Sequence, residues 1–89
     1  MTRYRAAPDA LAATLSDGAV LLNLRTKRYY SLNETGTRIW QLLLEGRTEE
    51  EIVQTLTAEY DVEATIANQE MQAVIASLRD CALIEHDPI

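Results

Sequence analysis

The chain has 89 residues, 47% of them hydrophobic and 25% charged, with a formal net charge of −6. That length holds one domain with one modest core, and the mixed composition excludes a disordered or collagen-like chain. No apolar run nears the roughly 18 residues that span a bilayer and no secretion signal opens the chain, so a cytoplasmic protein without an anchor is expected.

In chain order, Thr2–Ala6 reads as a first strand that adds to a sheet before Pro8 turns the chain. Leu11–Leu15 is a short alanine-rich strand. Ser16-Asp17-Gly18 then signals a hairpin, because Asp and Gly both accept positive φ. Ala19–Leu24 is the clearest strand, with Val20, Leu22 and Leu24 on one face and Asn23 on the other. Arg28–Leu32 is the next. If Tyr30 and Leu32 face the core with Val20 and Leu22, then Leu24 pairs with Arg28. Residues 25–27 become the loop, and Lys27 takes a left-handed position better suited to glycine.

The rest reads as helices. Asn33 caps a first helix over about 34–45, with Leu32 as a hydrophobic staple, Ile39, Trp40, Leu43 and Leu44 facing inward, and Gly46 as the stop. Thr48 and Glu51 form a capping box for a second helix over about 49–59, with Ile52, Val53 and Leu56 inward and Tyr60 closing the face. A third helix over about 64–81 carries Ala67, Met71, Val74, Ile75 and Leu78 at helical spacing. Leu83-Ile84 is a final extended anchor, and residues 86–89 are a tail. The expected fold is a single α+β domain over 1–89. It is winged-helix-like, with a small antiparallel three-stranded sheet from the N-terminal part (strands within about 2–32) packed on a three-helix bundle.

Catalytic groups are scarce. His86 reads as a tail histidine beside Asp87 and Pro88, and Cys81 as a small packing residue without a partner base. Glu49-Glu50-Glu51 reads as dipole-complementing first-turn acids. One Cys and one His do not make a structural zinc site, and no glycine-rich phosphate loop exists. No enzyme, metal or cofactor is expected. Trp40 reads as core.

Charge is uneven along the chain. Residues 1–38 have a surplus of three positive charges, and residues 39–89 an excess of nine negative ones. The main functional signal is the strand Arg28–Leu32, which has no expected partner on its far side. An open edge is either protected or used, one use being the addition of an extended peptide. Arg25, Lys27 and Arg28 near it suit either a guard against aggregation or the attraction of an acidic peptide. On the third helix, Ala73, Ser77 and Cys81, with Ile66 and Glu70, form a flank of mostly small residues. That flank either packs on the first helix or walls a groove beside the strand edge. Asn68, Gln72 and Arg79 form a solvated flank.

The strings Asp17-Gly18-Ala19-Val20-Leu21-Leu22-Asn23-Leu24, Arg28-Tyr29-Tyr30-Ser31-Leu32-Asn33-Glu34-Thr35-Gly36 and Ile39-Trp40 resemble the PqqD-like proteins. These are recognition elements for ribosomally synthesised, post-translationally modified peptides. Residues 47–53, Tyr60-Asp61-Val62 and Leu83-Ile84-Glu85 continue the likeness, which covers roughly 17–85 and looks most like the free-standing recognition proteins of lasso-peptide pathways. The family often has glycine where Lys27 and Ala82 stand. The resemblance implies a non-catalytic adaptor that binds the leader of a precursor peptide as an antiparallel strand beside 28–32 and presents it to a leader peptidase and a cyclase. Carried over by position, the peptide-binding residues are Lys27, Arg28, Tyr29, Tyr30, Ser31 and Leu32, with Glu70, Val74, Ser77 and Leu78 on the third helix.

Two other readings stand beside this one. Within the same family, the chain is a peptide chaperone for a radical SAM peptide-modifying enzyme, as in PQQ biosynthesis. In another class, it is a winged-helix DNA-binding regulator reading with the third helix. The exposed residues there include Asn68, Gln69, Glu70, Gln72 and Asp80 against Arg79 alone, a weak footprint for phosphate. Neither a nucleic-acid nor a membrane partner is expected. The chain is expected to be a monomer or a weak dimer through the sheet edge.

Overall fold

The computed structural model describes residues 3–87. The order is β1 (Tyr4–Ala6), β2 (Ala10–Leu15), β3 (Gly18–Asn23), β4 (Tyr29–Leu32), α1 (Glu34–Leu44), α2 (Glu49–Tyr60), α3 (Ala64–Asp80) and β5 (Ile84–His86). Strands β2-β3-β4 form an antiparallel sheet in that order, and β1 pairs with β5 in a second, two-stranded sheet. The architecture is therefore α+β, with the three-stranded sheet and three helices as read. The first strand does not join that sheet, because the C-terminal strand takes it as partner; Thr2 lies outside the described residues. His86 belongs to β5, opposite Tyr4. The two rings meet edge to face at 5.8 Å, so this histidine is not part of a free tail.

The inward face of β3 is the opposite of the one expected, while β4 keeps Tyr30 and Leu32 inward as expected. Ala19 pairs with Leu32, Leu21 with Tyr30 and Leu22 with Tyr29, one residue from the expected register, and this one-residue shift exchanges the two faces of β3 relative to β4. Ala19, Leu21 and Asn23 are buried, while Leu24 is 45% exposed at the start of the five-residue connection 24–28. The cause is Asn23. Its Oδ1 accepts from the N–H groups of Arg25 and Thr26 (2.9 and 3.1 Å), and its Nδ2 donates to the Ala82 carbonyl at 2.7 Å and to the Cys81 carbonyl at 3.4 Å. Turned outward, Asn23 would leave loop donors and helix-end carbonyls without these partners, a loss that outweighs extra leucine burial. Lys27 does occupy the left-handed region, at φ 66°.

The β2–β3 hairpin forms without positive φ at Ser16, Asp17 or Gly18. Gly18 is needed for space instead: a Cβ there would collide with the Leu32 carbonyl oxygen.

The helix caps follow their sequence signals. Asn33 accepts from the Gly36 N–H at 2.8 Å, and Thr48 with Glu51 closes the capping box. Helix α1 ends in a Schellman motif at Gly46 (φ 79°), where Arg47 N–H donates to Leu42 C=O and Gly46 N–H to Leu43 C=O. Its inner stripe is Ile39, Trp40, Leu42 and Leu43, and Leu44 is 52% exposed. Leu42 replaces Leu44 because helical spacing puts it with Ile39 on the side facing the strands. On α3, Ala67, Met71, Ile75 and Leu78 are buried and Val74 is half-buried. The Gln72 and Arg79 flank is not simply solvated. Gln72 donates to Glu49 (2.9 Å), and Arg79 donates to the Tyr4 hydroxyl (3.1 Å), which donates to Glu49 (2.9 Å). Burial, then the bond to Glu49, raises the pKa of Tyr4.

Helix α3 also ends in a Schellman turn, with Ala82 at φ 54° and Leu83 N–H donating to Leu78 C=O. A left-handed residue other than glycine carries strain. Replacing Ala82 with Gly is expected to stabilise the fold by about 0.5–1 kcal/mol after the entropy of the unfolded chain is counted. A higher urea midpoint at unchanged slope is the expected readout.

Acid should loosen the fold through two carboxylates. The Arg38 guanidinium holds Glu59 below the ordinary 4.5, and the Thr48 backbone N–H does the same for Glu51. A folded-state pKa below the unfolded one stabilises above the unfolded value and is lost as pH falls through the folded value. Urea midpoints should therefore drop between about pH 5 and pH 3. The Glu59→Gln variant should lie below the parent at neutral pH and converge with it in acid; parallel curves would refute this.

Candidate functional site

Hydrogen-bond alternation identifies which backbone groups of β4 are free. Asn23 N–H donates to Arg28 C=O at 2.8 Å while its carbonyl accepts from Lys27 N–H at 2.8 Å, which puts 27 and 28 together opposite 23; pairs 21/30 and 19/32 therefore exchange bonds across β3 and β4. Tyr29 and Ser31 therefore direct N–H and C=O away from β3, toward an edge with no paired strand among the described residues. Their side chains lie on the outer face, Tyr29 at 68% exposure, while Tyr30 and Leu32 point inward and pack in the core.

Beyond this edge lies α3. Arg28 ties the two at one end, its Nη1 donating to the Asp80 carbonyl at 3.0 Å and Nη2 lying 3.5 Å from the Asp80 carboxylate. Asn23 adds the second tie, to the carbonyls of Cys81 and Ala82. Since Gln72 and Arg79 turn toward α2 and β1, the stripe Ile66, Glu70, Ala73, Ser77 and Asp80 borders the β4 side. Ile66 is 45% exposed, Glu70 and Ala73 are exposed, and Ser77 is half-buried. At the end where β4 runs into α1, a hollow of about 180 Å³ is lined by Thr35, Leu56, Tyr60, Val62, Ala67 and Glu70. Burial raises the Tyr60 hydroxyl's pKa, so it stays neutral at physiological pH.

Most of the residues named from sequence come together here. Lys27 and Arg28 form a basic end, Tyr29 and Ser31 the open edge, Tyr30 and Leu32 its inward anchors, and Glu70, Val74 and Ser77 lie on the helix wall or its margin. Leu78 does not: it is fully buried, so it supports the wall and offers no surface. The hollow escaped sequence reading because its lining comes from three helices and the α2–α3 connection. Asn23 is legible in the sequence as a polar residue inside an apolar strand, but local alternation places it on the outer face.

A larger depression of about 510 Å³ lies between α2 and α3, lined by Glu49, Glu50, Val53, Gln54, Ala64, Thr65 and Asn68. It is open and presents no free backbone edge, and its Glu49 carboxylate is already held by Tyr4 and Gln72. Cys81 is buried. Among the described residues no three His, Cys, Asp or Glu side chains gather as a metal site, and no helix is long and apolar enough to cross a membrane.

An open strand beside a helix-walled cleft, in a small α+β domain, defines the class as one built to accept an extended segment. The family model described as coenzyme PQQ synthesis protein D (PqqD) matches residues 18–84, and the chain belongs to this family. It is similar to TbiB1, solved in complex with the TbiA(beta) leader peptide: 34% identity, TM-score 0.83, covering 91% of this chain and 94% of that one. It is also similar to a lasso peptide synthetase B1 complexed with the leader peptide: 35% identity, TM-score 0.84, covering 93% and 98%. A search of curated proteins finds no match.

Proposed function

We propose that this protein is a non-catalytic adaptor that binds the leader of a ribosomally synthesised precursor peptide by strand addition to β4. The observation that carries this is the outward N–H and C=O of Tyr29 and Ser31 facing a cleft walled by α3, in a chain alike over nearly its whole length to two proteins solved with leader peptides. An antiparallel strand would run from the Thr35–Glu70 hollow toward Lys27 and Arg28. Its N-terminal part then seats a side chain in the hollow, and its downstream part leaves past the basic loop. Lys27–Leu32 bind it, with Glu70, Val74 and Ser77 on the opposite wall. The partners are a leader peptidase and a cyclase of a lasso pathway, in the cytoplasm. The similarity to B1 proteins favours this over a chaperone role beside a radical SAM enzyme. The DNA-binding reading loses ground because Arg79, the one basic residue of α3, is engaged with Tyr4.

The test is titration of the 15N-labelled protein with the leader encoded beside it. The expected result is micromolar or tighter binding, with amide shifts concentrated in 27–32 and along the Ile66–Ser77 wall. No binding to that leader, or shifts confined to the α2–α3 depression, would overturn the proposal.

A further inference from the structure

The sheet has a second open edge, and it is the less protected one. Strand β2 reads Ala-Leu-Ala-Ala-Thr-Leu, with no charge and no proline, and its pairing to β3 runs from Ala10/Asn23 to Leu15/Gly18 without a bulge. Residues 11–15 are all exposed, Leu11 at 55% and Leu15 at 56%. Among the described residues β2 packs mainly on β3, so both faces of residues 11–15 and the far edge of the strand lie open. Natural sheet edges are ordinarily blunted by charges, proline, bulges or a covering element. β4 has Lys27 and Arg28 beside it; β2 carries none of these devices within its six residues, with Pro8, Asp9 and Asp17 only beyond its ends.

The free groups can be assigned. Leu24 N–H donates to Asp9 C=O at 2.9 Å, so pairs 11/22, 13/20 and 15/18 exchange bonds with β3. Ala12 and Thr14 therefore point N–H and C=O outward, while the Ala10 N–H is already donated to Ala7 C=O at 3.0 Å.

We propose that β2 is the contact strand of a symmetric dimer, pairing antiparallel with β2 of a second copy about a two-fold axis at Ala13. Only this register uses the free donors and also matches the leucines. Ala12 and the partner's Thr14 exchange both bonds, twice over, and Leu11 lies opposite the partner's Leu15, again twice. Centring on Ala12 would call on the committed Ala10 N–H and leave Leu15 unmatched. Centring on Thr14 would leave Leu11 unmatched. A second copy is the occupant because the strand is self-complementary: with no charge on residues 10–15, pairing of those six residues opposes no like charges, and an isologous contact needs one patch that fits itself. At each end, the register sets the partner's Asp17 opposite Asp9, and Arg25, whose Nε lies 3.6 Å from the Asp9 carboxylate, is the cation that offsets the two acids. The result is a six-stranded sheet with the two β4 edges at its outer ends, about 24 Å apart at the usual strand spacing. Both peptide sites stay open, so the dimer does not compete with the function proposed above.

Sedimentation velocity from micromolar to millimolar protein tests this by mass action. A monomer–dimer equilibrium is expected for the parent chain and for Ser31→Pro, and Thr14→Lys should remain monomeric while binding the leader peptide as the parent does. Under mild oxidation, Ala13→Cys should form a covalent dimer roughly tenfold faster than Ala12→Cys, because only residue 13 meets its own copy at the axis. A monomer at all concentrations, a dimer that survives Thr14→Lys, or equal cross-linking at 12 and 13 would overturn the proposal. Loss of the dimer in Ser31→Pro alone would place the contact at β4 and overturn it equally.

Discussion

Ser31→Pro is expected to weaken leader-peptide binding at least about tenfold, or about 1.4 kcal/mol. Ser31 N–H is one of the two outward donors of β4, and proline removes it. A lost hydrogen bond contributes about 0.5–1.5 kcal/mol by itself. The pyrrolidine ring also occupies the space where the added strand must approach, which raises the loss further. Since Ser31 N–H bonds nothing within the sheet, the fold should survive, and an unchanged circular dichroism melt would confirm that. Ser31→Ala keeps the donor and should bind nearly as the parent does. Isothermal titration of the three proteins separates the cases. A folded proline variant with parental affinity would rule out strand addition at this position.

Asn23→Leu should have the largest effect on stability, a loss of about 2–4 kcal/mol. It strands two loop N–H groups and the Ala82 carbonyl in a part-buried setting. For a chain of this size, each kcal/mol shifts the melting temperature by about 4–8 °C. Asn23→Asp should lie between the two, because its Oδ atoms still accept from Arg25 and Thr26 but nothing donates to Ala82. The same bonds hold the β3–β4 loop against the end of α3, so the leucine variant should also bind peptide more weakly at temperatures where it is still folded. A leucine variant as stable as the parent would mean that the hydrophobic count, and not the amide, sets the register.

Asn23 also marks the boundary of what could be read without a structure. Local chemistry determined the caps at Asn33 and Thr48, the stop at Gly46 and the three helices, because each depends on residues within one turn of chain. The open β4 edge followed from order alone: a strand followed only by helices has no later neighbour in its sheet. The face of β3 did not follow. Local alternation favours burying Val20, Leu22 and Leu24, but the bonds that decide the matter reach 58 and 59 residues along the chain, from Asn23 to Cys81 and Ala82.

The same limit applied at the ends and in the site. Tyr4 and His86 lie at opposite ends of the chain, and only the folded chain makes them strand partners. The Thr35–Glu70 hollow draws on α1, α2 and α3, and the unprotected far edge of β2 shows only once β1 is seen to pair elsewhere. Amino-acid order determined the kinds of element and their ends, because capping and turn energies are local. Tertiary structure decided which face is inside and which edges stay open, because those depend on hydrogen bonds and packing between segments remote in sequence.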